Sequence, residues 1–232
     1  AGDLSAEKLN EISRLNNELI NIQRELTKKN RQLEGLNARL EKLATTDALT
    51  GIFNRRAIFN RAKTELERAR REGRVFSLAI LDLDNFKHIN DSFGHQTGDK
   101  ALMLFAEGLQ EATREYDGAG RFGGDEFLVY FSVDDDQQFV NILKRLQSQI
   151  NQIILDVSKK RIGLTASIGG VVLHPGKGPE AALEDLISEA DKMLYQAKAK
   201  EDQSICISQY ESINSLSSGN ANEKRLGENP SL

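Results

Sequence analysis

The chain has 232 residues, of which 39% are hydrophobic and 28% are charged, so it can bury at least one core. Lys and Arg number 31 and Asp and Glu 35, and the net charge of −4 argues against a nucleic-acid polymer as partner, since a binding surface for one needs a basic excess. No apolar run approaches the roughly 18 residues of a membrane span. The single cysteine, Cys206, excludes an intrachain disulfide and predicts a cytoplasmic location. The start at Ala1-Gly2-Asp3, without Met, predicts a fragment that follows an upstream module.

Residues 1–44 are dominated by a heptad pattern. Nine of the ten core positions hold Leu or Ile, and Lys29 is the exception. The nine are Ile12, Leu15, Leu19, Ile22, Leu26, Leu33, Leu36, Leu40 and Leu43. A strict period of 3.5 predicts a left-handed coiled-coil helix of roughly 60 Å. A parallel homodimer is favoured, because the stalk must carry two identical domains on one end. The alternative is a single amphipathic helix lying on its own domain, for which the stripe is narrow.

Residues 45–210 are predicted to form one globular domain in which strands and helices alternate. The expected elements, in chain order, are a helix at 54–71, a strand at 76–83, a helix at 98–114, a hairpin centred on Gly123-Gly124, a helix at 137–155, a strand at 164–173 interrupted by Gly169-Gly170, a helix at 180–200 and a strand at 205–210. This order predicts an α/β fold with a mixed central sheet covered by helices. Residues 211–232, rich in Ser, Asn and Gly, are expected to form a disordered tail.

Acidic residues gather at two turns of this domain. The run Arg121-Phe122-Gly123-Gly124-Asp125-Glu126-Phe127 is a glycine turn followed at once by two carboxylates. Asp82 and Asp84 end the most apolar strand, where charges are costly unless they meet a cation. A strand-end Asp that faces a hairpin acid suits Mg²⁺, and two such ions can assist displacement at phosphorus. The turn alone is equally compatible with solvated acids on an ordinary hairpin, and Asp84 is interpreted mainly as a cap of the following helix.

The segment after this strand supplies side chains suited to a nucleotide. Lys87 can neutralise phosphate charge. Asn90 and Asp99 can bind a purine edge, because guanine offers adjacent N–H donors that a carboxylate matches bidentately. Gly94 and Gly98 would keep this loop close to a ligand. Taken singly, each of these is an ordinary surface residue.

These segments together resemble the GGDEF-domain diguanylate cyclases of bacteria over residues 45–210. The matching runs are Asp47–Arg56, Leu81–Lys87, Ile89–Asp91, Phe93–His95, Gly98–Asp99 and Gly123–Phe127. The common pattern has Leu-Pro where this chain has Ile52-Phe53. The resemblance implies a palm-like fold, similar to nucleotide cyclases and polymerases. It also implies that GTP molecules on two facing domains condense to cyclic di-GMP and two pyrophosphates, each 3′-hydroxyl attacking the α-phosphorus of the other GTP.

The resemblance also implies individual roles. Mg²⁺ or Mn²⁺ would be bound by Asp82, Asp125 and the Leu83 carbonyl, with Glu126 beside the second metal or the attacking hydroxyl. Asp82, Asp125 and Glu126 are therefore the expected catalytic residues. The expected substrate contacts are Asn90 and Asp99 to guanine, and Phe86, Lys87, Gly123, Gly124 and Lys198 to the phosphates. The resemblance also implies a sensor or receiver domain that precedes this chain in the same protein.

One departure concerns the phosphates. Family members commonly have Gly-Arg-Asn after the Lys of the last helix, and that Arg also contacts phosphate. This chain has Asp202 at the Arg position. The departure predicts a weaker triphosphate clamp and a raised KM, unless Lys200 substitutes.

A second site is expected from Arg114 and Asp117, which have the spacing of the family's RxxD inhibitory site for cyclic di-GMP. Arg145 is a further candidate contact. The alternative for the pair is a local ion pair. Three functions therefore compete: an active cyclase, a receptor that binds cyclic di-GMP without turnover, and a structural dimerisation protein, which would leave the clustered acids unexplained.

Overall fold

The computed structural model describes residues 2–114, 116–157, 160–176, 181–200 and 204–210, so the predicted tail and Asp202 lie outside the described residues. The chain divides into two compact units, Ala1–Thr45 and Thr46–Leu232. The helices are α1 (Gly2–Thr45), α2 (Arg55–Glu72), α3 (Phe86–Phe93), α4 (His95–Ala112), α5 (Asp136–Ile150) and α6 (Leu183–Ala199). The strands are β1 (Val75–Leu83), β2 (Gly118–Gly123), β3 (Glu126–Val133), β4 (Ile154–Val157), β5 (Lys160–Gly163), β6 (Ala166–Leu173) and β7 (Ile205–Gln209).

The second unit is built on a five-stranded sheet of order β2-β3-β1-β6-β7. The central strand β1 runs antiparallel to both of its neighbours, and β6 and β7 run parallel. Strands β4 and β5 form a separate hairpin. The predicted α/β fold with a mixed sheet is confirmed, and most of its strand pairs are antiparallel.

Helices cover both faces of this sheet. Leu78 and Ile80 of β1 belong to a core shared with α2 and α6, whereas Leu81 and Leu83 belong to a core shared with α4 and α5. Since successive strand side chains point to opposite faces, Asp82 continues the row of Leu78 and Ile80 on the α2 and α6 face. The sequence of β1 therefore decides which layer its terminal carboxylate meets.

The first unit is the long helix α1. Its predicted seam side chains are solvent-exposed wherever they are described, from Leu15 at 47% to Leu43 at 71%. An apolar stripe of this length is unusual on a helix that lacks a partner. Among the described residues, no helix is both long and apolar enough to cross a membrane.

Four of the predicted segments differ clearly from those observed. The segment treated as a loop contains α3, which buries a single residue, Ile89, and α4 starts three residues before the predicted Gly98. The helix predicted at 137–155 ends at Ile150, because Leu155 pairs instead with Ile162 in the β4–β5 hairpin. The strand predicted to break at its two glycines is continuous through them in β6.

Gly169 is needed for packing between β6 and α6. A β-carbon there would overlap the backbone of Ala190 and Leu194 in α6. We expect Gly169→Ala to lower the free energy of unfolding by about 3 kcal/mol or more, because backbone atoms cannot rotate away as a side chain can. Urea denaturation measures this. Gly163→Ala in β5, where nothing lies within 4 Å of the new methyl group, is the control and should change stability little. Equal effects of the two substitutions would contradict the packing argument.

Candidate active site

Carboxylates converge where β1 meets the β2–β3 hairpin, and we call Asp82, Asp125 and Glu126 the acid edge. Asp82 lies directly opposite Glu126 in the antiparallel ladder, so both side chains project from the same face of the sheet. The turn between the strands uses Gly124 at φ +45°, a conformation that favours glycine. The Leu83 backbone N–H donates to the Asp125 carbonyl at 3.3 Å, which ties the turn to the end of β1. The structure thus brings the predicted acids together.

Lys198 of α6 supplies the positive charge at this edge. Its ammonium Nζ lies 2.7 Å from Oδ2 of Asp82, which is only 8% exposed. Burial raises the pKa of the Asp82 carboxyl; the Lys198 hydrogen bond and charge oppose this rise, and the negative charges of Asp125 and Asp84 add to it. The predicted phosphate-binding lysine is therefore paired with a predicted metal ligand, which sequence spacing alone does not show.

Asp191 is a member of this charge cluster that sequence reasoning missed. Burial raises the pKa of the Glu126 carboxyl, and the charges of Asp82, Asp191 and Asp125 raise it further while Lys198 opposes them. The available signal was the spacing of Asp191 seven residues before Lys198, which places both on one side of a helix. The edge carries more negative charge than one lysine neutralises, so it favours an added cation.

The donors at the acid edge fit a magnesium ion that shares its shell with substrate. Among the described residues, no group of three or more His, Cys, Asp or Glu side chains is placed to hold a metal by itself. Mg²⁺ prefers oxygen ligands and commonly takes one or two carboxylates, with phosphate oxygens and water completing the shell. Carboxylates of Asp82 and Asp125 and the Leu83 carbonyl are donors of this kind.

Arg121, which sequence reasoning did not single out, stabilises the glycine turn. Its Nε donates to the Gly124 carbonyl at 2.9 Å, and its Nη1 lies 3.3 Å from Oδ1 of Asp47. Burial alone would raise the pKa of Asp47, but hydrogen bonds from Thr50 and the charge of Arg121 outweigh it and lower the pKa. Arg121 therefore links the entry segment of the unit to the glycine turn.

The predicted guanine-binding residues lie where α3 approaches α4. A β-carbon on Gly98 would overlap the Asn90 carboxamide and press on Phe86, so Asn90 lies directly over the residue that precedes Asp99. Asp99 is exposed at the start of α4, Lys87 is exposed on α3, and Phe86 is half-buried against the core. The structure brings Asn90 next to Gly98, the residue before Asp99, and leaves the Asp99 carboxylate accessible.

The interpretation of Asp84 as a helix cap is wrong. The residue before α3 is Asn85, at φ 57°, and it makes no side-chain capping hydrogen bond. Asp84 Oδ1 instead accepts a hydrogen bond from the Ser167 hydroxyl at 2.8 Å. Asp84 thereby joins the ends of β1 and β6, and its charge adds to that of the acid edge.

The predicted inhibitory residues lie apart from the acid edge. Arg114 and Arg145 both line a groove of about 430 Å³ beside α5. Arg145 Nη2 also donates to the Ala112 carbonyl at the end of α4. Asp117 lies within electrostatic reach of both arginines, and its carboxylate accepts the backbone N–H groups of Arg114 at 2.9 Å and Ser132 at 3.4 Å. The structure therefore brings the two arginines together and gives Asp117 a structural task.

Comparison with known proteins agrees with this fold. The family described as "Diguanylate cyclase, GGDEF domain" matches residues 44–204. The chain is 37% identical over 155 residues to diguanylate cyclase DgcP of Pseudomonas aeruginosa, covering 67% of this chain and 22% of that protein. It is 34% identical over 156 residues to probable diguanylate cyclase DgcC of Escherichia coli K12, covering 67% of this chain and 41% of that protein.

A solved structure is similar over a longer stretch. It contains the coiled coil and GGDEF domain of DgcB from Caulobacter crescentus in complex with c-di-GMP, with a TM-score of 0.69 and 26% identity over 81% of this chain and 99% of that one. The fold and the acid edge define an α/β domain suited to binding a cation together with phosphate. The chain belongs to the GGDEF-domain diguanylate cyclase family. It spans 22% of the length of DgcP and 41% of the length of DgcC.

Proposed function

We propose that this chain is a diguanylate cyclase that condenses two GTP molecules into cyclic di-GMP and releases two pyrophosphates. The observation that carries the proposal is the acid edge, with Asp82 and Glu126 opposed on adjacent strands and Lys198 bound to Asp82. Opposed carboxylates destabilise a sheet, so they are costly here unless a cation is bound. The chain's membership of the GGDEF family supports the same activity.

The side chains divide the work between binding and positioning. Asp82, Asp125 and the Leu83 carbonyl would hold Mg²⁺, or Mn²⁺, which when bound withdraws charge from the reacting phosphate. Glu126 would orient the attacking 3′-hydroxyl. As its oxygen bonds to the α-phosphorus, its proton passes to solvent water, and the bond from the α-phosphorus to the pyrophosphate leaving group breaks. Lys198 would move from Asp82 to a phosphate oxygen when substrate binds. The exposed Lys87 and the backbone of Phe86, Gly123 and Gly124 would contact the phosphates.

Turnover is the direct test. The full chain should convert GTP to cyclic di-GMP in the presence of Mg²⁺, and chromatography of the nucleotides should show no product when the metal is chelated. The second candidate function, a receptor for cyclic di-GMP, is favoured by the groove that Arg114 and Arg145 share. Binding of cyclic di-GMP without any turnover of GTP would select the receptor and reject the cyclase.

Two half-sites must face each other, and α1 provides a surface for pairing. Its exposed Leu and Ile stripe has the 3.5-residue period of a left-handed coiled coil. We therefore propose a homodimer through the stalk, in which Lys29 at a core position keeps the pairing below its maximal stability.

The cytoplasmic location and the upstream sensor or receiver domain stay predictions.

The dimer is expected to depend on the stalk core. Leu26→Glu combined with Leu33→Glu places four charges in the seam of the dimer. The dissociation constant of the dimer should therefore rise by more than about 100-fold. Analytical ultracentrifugation measures this, and specific activity should fall with it. Thr27→Glu combined with Arg31→Glu, at positions outside the predicted seam, is the matched control. A monomeric parent chain at micromolar concentration would contradict the proposal.

Base selectivity is expected to depend on Asp99. A bidentate contact to a base edge contributes about 1–3 kcal/mol, so Asp99→Ala should reduce the preference for GTP over ATP by roughly 10- to 100-fold. Competition between equimolar GTP and ATP, followed by chromatography of the cyclic products, gives the ratio. Glu107→Ala removes another exposed acid from α4 and should leave selectivity unchanged. Unchanged selectivity in Asp99→Ala would show that guanine is recognised elsewhere.

A further inference from the structure

A groove outside the acid edge lies between the start of α2 and the first turns of α6. We call it the α2–α6 groove. It has a volume of about 610 Å³, within the range of small-molecule sites, and two of its walls are Phe59 of α2 and Ile187 of α6. Phe122 forms a third wall and directly precedes the glycine turn of the acid edge. None of the roles proposed above uses this groove.

Phe122 is directed into the groove by an irregularity in the hairpin. The β2–β3 register shifts between Arg121 and Gly123, so Phe122 has no partner across the ladder. A bulge of this kind re-aims a side chain, and Phe122 packs against the α2 and α6 core. The Arg55 guanidinium lies 4.6 Å from the centroid of its ring. The groove therefore presents a planar cation that covers one face of an aromatic ring, and a nucleobase can stack on the outer face of that cation.

The charges in the groove match a nucleotide. Arg55 and Arg56 are adjacent in the first turn of α2, which has no acidic residue, and the described ion pairs include neither arginine. Arginine binds phosphate oxygens bidentately. Glu184 on α6 is the acidic side chain among the lining residues, and its carboxylate can accept two adjacent N–H groups. Among nucleobase edges, guanine presents such a pair through N1–H and its exocyclic amino group, whereas adenine does not.

From these features we propose that the α2–α6 groove is a second guanine-nucleotide site. The base stacks against Phe59 and the Arg55 guanidinium that covers Phe122, Glu184 accepts hydrogen bonds from its N1–H and amino group, and Arg56 binds the phosphate. The site requires no turnover, so it stands independently of the proposed cyclase activity. Because Phe122 is adjacent to the turn that carries Asp125, a nucleotide bound in the groove would also contact the segment on which catalysis would depend.

The test removes the two other candidate guanine sites first. The background is the full chain with Asp99→Ala and Arg114→Ala, titrated by calorimetry with guanosine 5′-monophosphate in metal-free buffer. One nucleotide per chain should still bind, and adenosine 5′-monophosphate should bind at least tenfold more weakly. Adding Glu184→Gln should weaken the guanosine nucleotide at least tenfold without changing the adenosine nucleotide, whereas Arg56→Ala should weaken both. Glu107→Gln is the control for a lost surface acid.

Two results would overturn the proposal. Loss of all guanosine nucleotide binding in the background variant would place every guanine contact at the sites already described. If the two nucleotides bound equally and Glu184→Gln changed neither affinity, the groove would bind phosphate without recognising the base. Parallel titrations with GTP and cyclic di-GMP distinguish substrate from product as the source of the guanine. Because turnover is measured separately, failure here and failure of the cyclase proposal give different results.

Discussion

Asp125→Ala should abolish cyclic di-GMP synthesis while leaving the fold unchanged. A metal ion that stabilises transferring phosphate charge contributes several kcal/mol, so losing one of its carboxylate ligands should slow turnover by on the order of 10³-fold or more. Stability should survive, because Asp125 is tied to β1 through its backbone carbonyl, which alanine keeps. The measurement pairs a turnover assay with urea denaturation.

Asp82→Asn adds to this test because it should change the pH dependence of stability in a definite direction. Burial raises the pKa of Asp82, so the native state keeps this proton to a higher pH than the unfolded chain does. Ionisation of Asp82 therefore lowers the free energy of unfolding as pH rises through that range, and asparagine removes this loss. Activity should fall as in Asp125→Ala. Removal of the buried charge should raise the free energy of unfolding at neutral pH, and loss of the Lys198 pair should offset part of this gain.

The control is Asp156→Ala, which removes an exposed acid from β4, with an 82% exposed side chain, far in sequence from the acid edge. It should change neither turnover nor stability by a measurable amount. Near-normal turnover in either acid-edge variant would contradict the metal assignment. Loss of turnover together with unfolding in both variants would assign these acids a structural task instead.

Much of the fold could be predicted from the sequence because the local patterns are strong in this chain. The β1 strand is predicted from a continuous apolar run, and α2 starts where Asn54 caps it, through a hydrogen bond from the Ala57 N–H. Short elements were missed for a physical reason. Helix α3 buries one side chain, and β4 exists because Leu155 finds Ile162, a pairing that no local period encodes.

The candidate site divides in the same way. Adjacent acids at a glycine turn and at a strand end are visible as motifs, and sheet alternation then fixes the face on which Asp82 lies. The pairing of Lys198 with Asp82 depends on how α6 lies on β6, which is set by the absence of a side chain at Gly169. Such contacts between distant segments are decided by packing, so spacing along the chain cannot reveal them.

Product feedback is expected to depend on Arg114. We propose that cyclic di-GMP binds at the groove shared by Arg114 and Arg145 and holds two domains in an arrangement where their GTP sites cannot face each other. An effector shifts such an equilibrium only by its preference for one state, typically about 1–3 kcal/mol. Inhibition should therefore be allosteric, with a maximal rate that falls as cyclic di-GMP is added and is not restored by excess GTP.

Arg114 is a cleaner probe of this site than Asp117. The Asp117 carboxylate accepts backbone N–H groups of Arg114 and Ser132, and burial raises its pKa against the opposing effect of these bonds. Asp117→Ala would leave both donors without their acceptor and destabilise the unit by about 1–3 kcal/mol, which would confuse binding with folding. The Arg114 side chain can be removed while its backbone N–H keeps the Asp117 contact.

Arg114→Ala should weaken cyclic di-GMP binding at least tenfold, since a guanidinium contributes charge-assisted hydrogen bonds to phosphate or guanine. The initial rate should change little, whereas progress curves should continue to a higher concentration of product. Calorimetry gives the affinity, and Arg161→Ala, which removes an exposed arginine from β5, is the control. If Arg114→Ala bound cyclic di-GMP as tightly as the parent and stalled at the same product level, the inhibitory site would lie elsewhere and Arg114 would be an ordinary surface residue beside the Asp117 turn.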